Sequence, residues 1–148
     1  MTLMRQTREN YLLLVQDMDL ERLNHIPEGF ANNLVWNYGH IVVTLPLLTY
    51  GLSGLPLPMD ADLVSRYRRG SRPESAIDAT AWETLQELSA RTLLQVESDY
   101  QQGVFQEYKS YKTTYGYELA SIDDAIQFAP VHEGLHLGYA MAMLRKLR

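Results

Sequence analysis

The chain has 148 residues, of which 46% are hydrophobic and 21% charged, a composition typical of one globular domain (residues 1–148) and not of a disordered, collagen-like or coiled-coil protein. It contains no cysteine, which excludes a disulfide framework, a cysteine zinc site, an iron–sulfur cluster and a cysteine nucleophile, so any reacting thiol must belong to a substrate. The formal net charge of −5 disfavours binding to nucleic acid or to an anionic membrane.

Four long helical patterns and one short pattern follow one another along the chain, with no convincing strand pattern between them. In the long patterns, apolar residues recur at three- and four-residue steps, the period of an amphipathic helix. Pro130 is expected to kink the last helix or to separate its first turns. Long connectors around the third long helix argue against a simple up-down-up-down order, and the whole predicts an all-α four-helix bundle. The predicted helices cover residues 2–24, 31–49, 61–69, 78–102 and 121–148.

One long uncharged segment fits either a membrane helix or a buried helix. Residues 29–59 contain no Asp, Glu, Lys or Arg, a run long enough to span a bilayer. Its amides and its imidazole are costly in lipid, so a helix buried inside a bundle explains the run better. Residues 1–10 are charged and carry no long apolar run, so they do not form a secretory signal. We therefore expect a cytoplasmic protein that does not associate with a membrane.

The pair His132 and His136 is the strongest chemical signal in the sequence. Histidines four residues apart project from one face of a helix, so both imidazoles can reach one metal ion. The string also matches the H-E-x-x-H motif of zinc proteases. We set that interpretation aside because position 142, where the extended motif has a histidine, holds Ala142, and no acidic residue follows Glu133.

A third ligand must then come from upstream, and His40 is the natural candidate. Asn33, Asn37, His40 and Thr44 form a polar stripe on an otherwise apolar helix. A buried polar stripe is costly unless its groups are satisfied, and a metal on His40 with the two amides hydrogen-bonded around the ligands would satisfy them. Three neutral imidazoles with an open position describe a catalytic metal site, in which the ion lowers the pKa of a bound water or binds a thiol as thiolate.

The role of Glu133 remains open between two interpretations. It lies one residue from His132, so its side chain points about a quarter-turn away from the metal. It could act as a general base on a bound group, or it could be a supporting or salt-bridged carboxylate.

Three other features have several interpretations. The arginines Arg66, Arg68, Arg69 and Arg72 could form a solvated helix face, a nucleic-acid site or a capture site for an anionic co-substrate, and we favour the first. The tyrosine-rich residues 103–120 could cover the core, contact a second subunit or form a lid. His25 is expected to be a surface or helix-capping residue.

At four segments the sequence resembles DinB-like (YfiT-like) proteins. The segments Ile26–Phe30 and Asn33–His40 are similar to the first half of these proteins, whereas Ser121–Ala125 and His132–Gly138 resemble their last helix. The resemblance implies a four-helix bundle with a long crossover connection that is often a homodimer. It also implies a divalent metal, commonly zinc or nickel, held by three histidines that fall on His40, His132 and His136. Characterised relatives include S-transferases that use low-molecular-weight bacterial thiols and a mycothiol-dependent isomerase.

The sequence therefore predicts a metal-dependent enzyme of the thiol S-transferase or hydrolase type that acts on a small molecule. The ion would activate a substrate thiol or a water, and a low-molecular-weight thiol is a possible co-substrate. The alternative is a non-catalytic metal-binding or stress-response protein that keeps the bundle.

Overall fold

The computed structural model describes residues 1–147 and confirms the all-α bundle. Four long helices, α1, α3, α5 and α6, carry the core, and two short helices, α2 and α4, lie in their connections. The bounds are α1 Thr2–Val15, α2 Leu20–Asn24, α3 Leu34–Pro46, α4 Ala61–Tyr67, α5 Ala79–Gln101 and α6 Ile122–Leu147. A π-helical turn, Leu47–Gly51, extends α3, and two short strands, β1 Tyr111–Lys112 and β2 Glu118–Leu119, precede α6.

Two buried clusters at opposite ends of the bundle give the direction of each long helix. The cluster at one end takes its residues from the start of α1, the end of α3, the second half of α5 and the first half of α6: Met4, Leu45, Val96 and Ala129. The cluster at the other end takes Tyr11, Leu34, Leu85 and Met143. Helices α1 and α6 therefore run one way and α3 and α5 the other. The connection from α3 to α5 must cross the length of the bundle, which is the expected long crossover.

Helix α3 is the central helix, because 12 of its 13 residues are buried. It packs against both α5 and α6. This burial explains the middle of the uncharged run of residues 29–59 as the bundle interior. Within residues 1–147, no helix has both the length and the apolar character needed to cross a bilayer.

Two of the predicted helices differ from the structure. The first predicted helix is two helices, because α1 ends at Val15 and Asp19 caps a new helix by accepting the backbone N–H of Arg22 at 2.8 Å. Helix α6 runs uninterrupted through Pro130, so the predicted separation of its first turns is wrong.

The tyrosine-rich connector contains a two-stranded antiparallel hairpin that the sequence analysis did not predict. Tyr111 pairs with Leu119 and Lys112 with Glu118. The rings of Tyr115 and Tyr117 lie 6.0 and 6.3 Å from that of Phe128 on α6, so the hairpin covers the first half of that helix.

Candidate metal centre

The structure brings His40 of α3 together with His132 and His136 of α6. One ring nitrogen from each residue lies within 4.8 Å of the others, a spacing at which three ligands can share one ion. The ring centroids are 5.1 Å apart for His40 and His132, and 4.7 Å apart for each of the other two pairs. His40 is buried and the two α6 histidines are partly buried. The two helical stripes singled out in the sequence therefore face each other.

The imidazole of His40 is oriented by a backbone carbonyl. Its Nδ1 lies 2.7 Å from the carbonyl oxygen of Tyr67, so Nδ1 carries the hydrogen and donates it. That tautomer leaves the lone pair on Nε2, which lies 3.5 Å from the hydroxyl of Thr44 and is the nitrogen that an ion would take. The indole of Trp36 stacks on the imidazole with a centroid distance of 4.8 Å and an interplanar angle of 9°, which holds the ring plane.

The contact with Tyr67 depends on Gly39. A Cβ at residue 39 would lie 2.4 Å from Cδ1 of the Tyr67 ring, well inside van der Waals contact. Only a glycine lets the last residue of α4 pack this closely on α3. The close approach places the Tyr67 carbonyl beside His40, so Gly39 is part of the architecture of the site.

The imidazole of His136 is oriented by a buried amide. Its Nδ1 lies 2.9 Å from Oδ1 of Asn37, so Nδ1 donates and Nε2 is again free. The Asn37 amide is fixed in turn, because its Nδ2 donates to the backbone carbonyl of Asn33 at 2.9 Å. The side chain of Asn33 caps α3 by accepting the backbone N–H of Trp36 at 2.8 Å. Asn37 therefore supports a candidate ligand directly, whereas Asn33 supports the helix that carries it.

Burial keeps these imidazoles neutral at physiological pH. Desolvation, followed by repulsion from His136, His40 and Arg8, lowers the pKa of His132 to about 3. Desolvation and repulsion from His40 lower the pKa of His136 to about 4. Burial also lowers the pKa of His40, against the opposing effect of its hydrogen bond to Tyr67. A cation-binding site needs neutral imidazoles, so the three histidines fit a divalent ion.

A cavity of about 290 Å³ opens beside His40 and His132. Its walls are mostly apolar, and the hairpin closes one side through Tyr111, Thr113 and Thr114. The remaining lining residues are Thr44, Leu47, Leu48, Leu52, Arg69 and Phe128. The volume lies at the small end of the range for small-molecule sites, which suits a small organic ligand.

Comparison with known families agrees with this architecture. The model of the DinB superfamily matches residues 3–140 of the chain, which include all three histidines. The chain belongs to the DinB superfamily. No curated protein matches it.

In this DinB superfamily protein, Glu133 pairs with Arg8 of α1. Oε1 of Glu133 accepts Nε–H of Arg8 at 3.0 Å and Nη2–H at 2.6 Å, and both side chains are buried. Burial raises the pKa of Glu133, and the adjacent guanidinium opposes that rise. Its Oε2 is buried without a hydrogen-bond partner among residues 1–147. This geometry matches the salt-bridge interpretation of Glu133 and offers no contact that would make it a general base at the histidines.

Arg8 and Tyr67 are two contributors that the sequence analysis missed. Arg8 also donates from Nη1 to the carbonyl oxygen of Ser89 at 3.0 Å, which ties α1 to α5 behind the site. The sequence carries no pattern that pairs Arg8 with Glu133. For Tyr67 the sequence did contain a signal. Gly39 lies inside a buried helix, and a glycine in that position indicates that another segment approaches the helix closely.

The arginine cluster is divided by the fold. Arg69 lines the cavity beside the histidines, whereas Arg66 and Arg72 line a separate cavity of about 220 Å³ behind Trp36. The cluster is therefore not one continuous face.

Proposed function

We propose that this DinB superfamily protein is a metal-dependent enzyme of the thiol S-transferase or hydrolase type. A divalent ion would be held by His40, His132 and His136, and a small-molecule substrate would occupy the adjacent cavity. The observation that carries the proposal is the convergence of three neutral imidazoles, two of which, His40 and His132, line that cavity. Zinc and nickel are the proposed ions, since imidazole nitrogen suits both.

Three protein ligands leave a coordination position for a substrate or a water, which distinguishes a catalytic site from a closed structural one. An ion bound there supplies Lewis acidity, which lowers the pKa of a thiol or a water at the open position. A thiol is a reasonable candidate because the chain itself contains no cysteine that could compete for the ion.

The residues of the chain have two tasks in this proposal. The Tyr67 carbonyl and the Asn37 amide fix the ring orientation of His40 and His136, which preorganises the ligands. Leu48, Leu52 and Phe128 form an apolar wall that excludes water from the reacting groups. Exclusion of water strengthens the electrostatic interactions within the cavity.

The test combines metal analysis with a turnover screen. Purified protein is loaded with zinc or nickel, dialysed, and assayed for conjugation of low-molecular-weight thiols to electrophiles and for hydrolysis of small amides and esters. We expect turnover that depends on the ion and disappears in His40→Ala, while His25→Ala behaves like the wild type. Full metal occupancy without turnover across these substrates would overturn the proposal in favour of a non-catalytic metal-binding protein.

A cytoplasmic homodimer stays a prediction from the sequence. Sedimentation equilibrium of the metal-loaded protein tests the dimer, with a mass of 17.0 kDa for one chain as the reference.

A further inference from the structure

The cavity beside the histidines has a positive charge that the proposed metal ligation does not use. Of the described residues that line it, Arg69 is the only one with a basic or acidic side chain apart from His40 and His132. Among residues 1–147, no carboxylate lines the cavity opposite this guanidinium. A divalent ion on the histidines would add to the same positive field.

Arg69 forms no ion pair with any of the residues that the structure describes. Within residues 1–147 the ion pairs are Arg5 with Glu97 and Arg8 with Glu133, and Arg69 takes part in neither. The residue is exposed, so its guanidinium is open to solvent. Its planar group of N–H donors is therefore available to a ligand, and that geometry matches a carboxylate in a bidentate pair.

The backbone of Arg69 belongs to a turn that is anchored beside the candidate metal centre. The backbone N–H of Ser71 donates to the carbonyl of Arg68 at 3.1 Å, and Gly70 has a φ of +87°, as in a type II turn. Nε1–H of Trp36 donates to the hydroxyl of Ser71 at 2.9 Å, and the same indole stacks on His40. The turn that carries Arg69 is thus tied to the residues that orient a candidate ligand.

We propose that Arg69 determines substrate specificity by binding the carboxylate of an organic anion. The apolar part of that anion would pack on Leu48, Leu52 and Phe128, with its reacting group toward His40 and His132. This inference rests on the proposed function, because it names the substrate class for the same cavity. Of the three interpretations of the arginine cluster, this inference favours the capture of an anion and assigns that role to Arg69 alone.

The test uses 3-phenylpropionate as the probe and 3-phenylpropionamide as its neutral counterpart, titrated calorimetrically into the zinc-loaded and the metal-free protein. We expect the carboxylate to bind at least about tenfold more tightly than the amide, as hydrogen bonds to charged groups allow. Arg69→Gln removes this preference. Arg68→Gln is the matched control, because it removes the same charge from the neighbouring residue, which does not line the cavity. Arg69→Lys restores part of the preference.

The two protein forms separate Arg69 from the ion. If Arg69 binds the carboxylate, the metal-free wild type still prefers the carboxylate and Arg69→Gln abolishes that preference. Three results would overturn the inference. The preference for the carboxylate could survive in Arg69→Gln, vanish when the metal is removed from the wild type, or be undetectable in both forms of the protein. The proposed function fails separately, through absent metal binding or absent turnover, and neither result changes the titration of the metal-free protein.

Discussion

Replacement of Glu133 with glutamine distinguishes a structural role of this residue from a catalytic one. The carboxylate sits between the helices α1 and α6, where its Oε1 accepts two hydrogen bonds from Arg8. Glutamine has nearly the same shape and keeps an oxygen that accepts hydrogen bonds, but it lacks the negative charge. The substitution therefore leaves the Arg8 guanidinium in the interior without a counter-charge.

The size of the effect follows from the burial of the pair. The side chains of Arg8 and Glu133 are only 4% and 2% exposed. Removal of one partner of a buried ion pair costs about 3–5 kcal/mol. Because glutamine still accepts hydrogen bonds, we expect the free energy of unfolding to fall by about 3 kcal/mol, at the lower end of that range. The melting temperature should fall by roughly 6–12 °C.

The assay is urea denaturation of the zinc-loaded protein, together with competition for zinc against a chromophoric chelator. We expect Glu133→Gln to lose stability while the folded variant keeps its zinc affinity. The double variant Arg8→Met/Glu133→Leu should be more stable than Glu133→Gln, because an apolar pair leaves no uncompensated charge. Wild-type stability in Glu133→Gln combined with lost turnover would refute this reasoning and restore the general-base role.

Three further predictions follow from the contacts around the histidines. Asn37→Ala removes the acceptor that orients His136 and should weaken zinc binding about 10- to 100-fold; unchanged affinity in the chelator competition would argue against it. Gly39→Ala should lower the free energy of unfolding by about 1–3 kcal/mol and also weaken zinc binding. In the control Gly138→Ala the added Cβ meets no atom within 4 Å, so zinc binding should be unchanged and stability unchanged or slightly higher. The folded-state pKa of His132 is about 3, below its unfolded value of ~6.5, so the metal-free protein should lose stability as pH falls below ~6.5. Circular dichroism measured against pH gives the midpoint of acid unfolding, which should move to lower pH with saturating zinc. A midpoint that does not depend on zinc would contradict the assignment of His132 as a zinc ligand.

Much of the bundle could be predicted because each long helix carries a local signal. The period of the apolar residues predicts the bounds of α3, α5 and α6 to within a few residues. The spacing of His132 and His136 predicts that both lie on one face of α6. The polar stripe on α3 was informative because amides and an imidazole are rare in a buried helix. These signals lie within single helices, so no knowledge of the packing is needed to find them.

The remaining features depend on contacts between distant parts of the chain. Arg8 and Glu133 are 125 positions apart, and each residue alone has the pattern of a solvated charge. The carbonyl of Tyr67 that orients His40 is a backbone group, which no side-chain pattern identifies. The break between α1 and α2 was missed because the apolar period continues across it, although Asp19 carries a capping signal.

The most direct test of this account is the metal content of the wild type and of His40→Ala, measured by mass spectrometry after loading with zinc and dialysis. We expect about one ion per wild-type chain, in keeping with a single three-ligand site. It predicts near-complete loss in His40→Ala and full retention in His25→Ala. A folded His40→Ala variant that keeps its zinc, or a wild type that binds none, would contradict it.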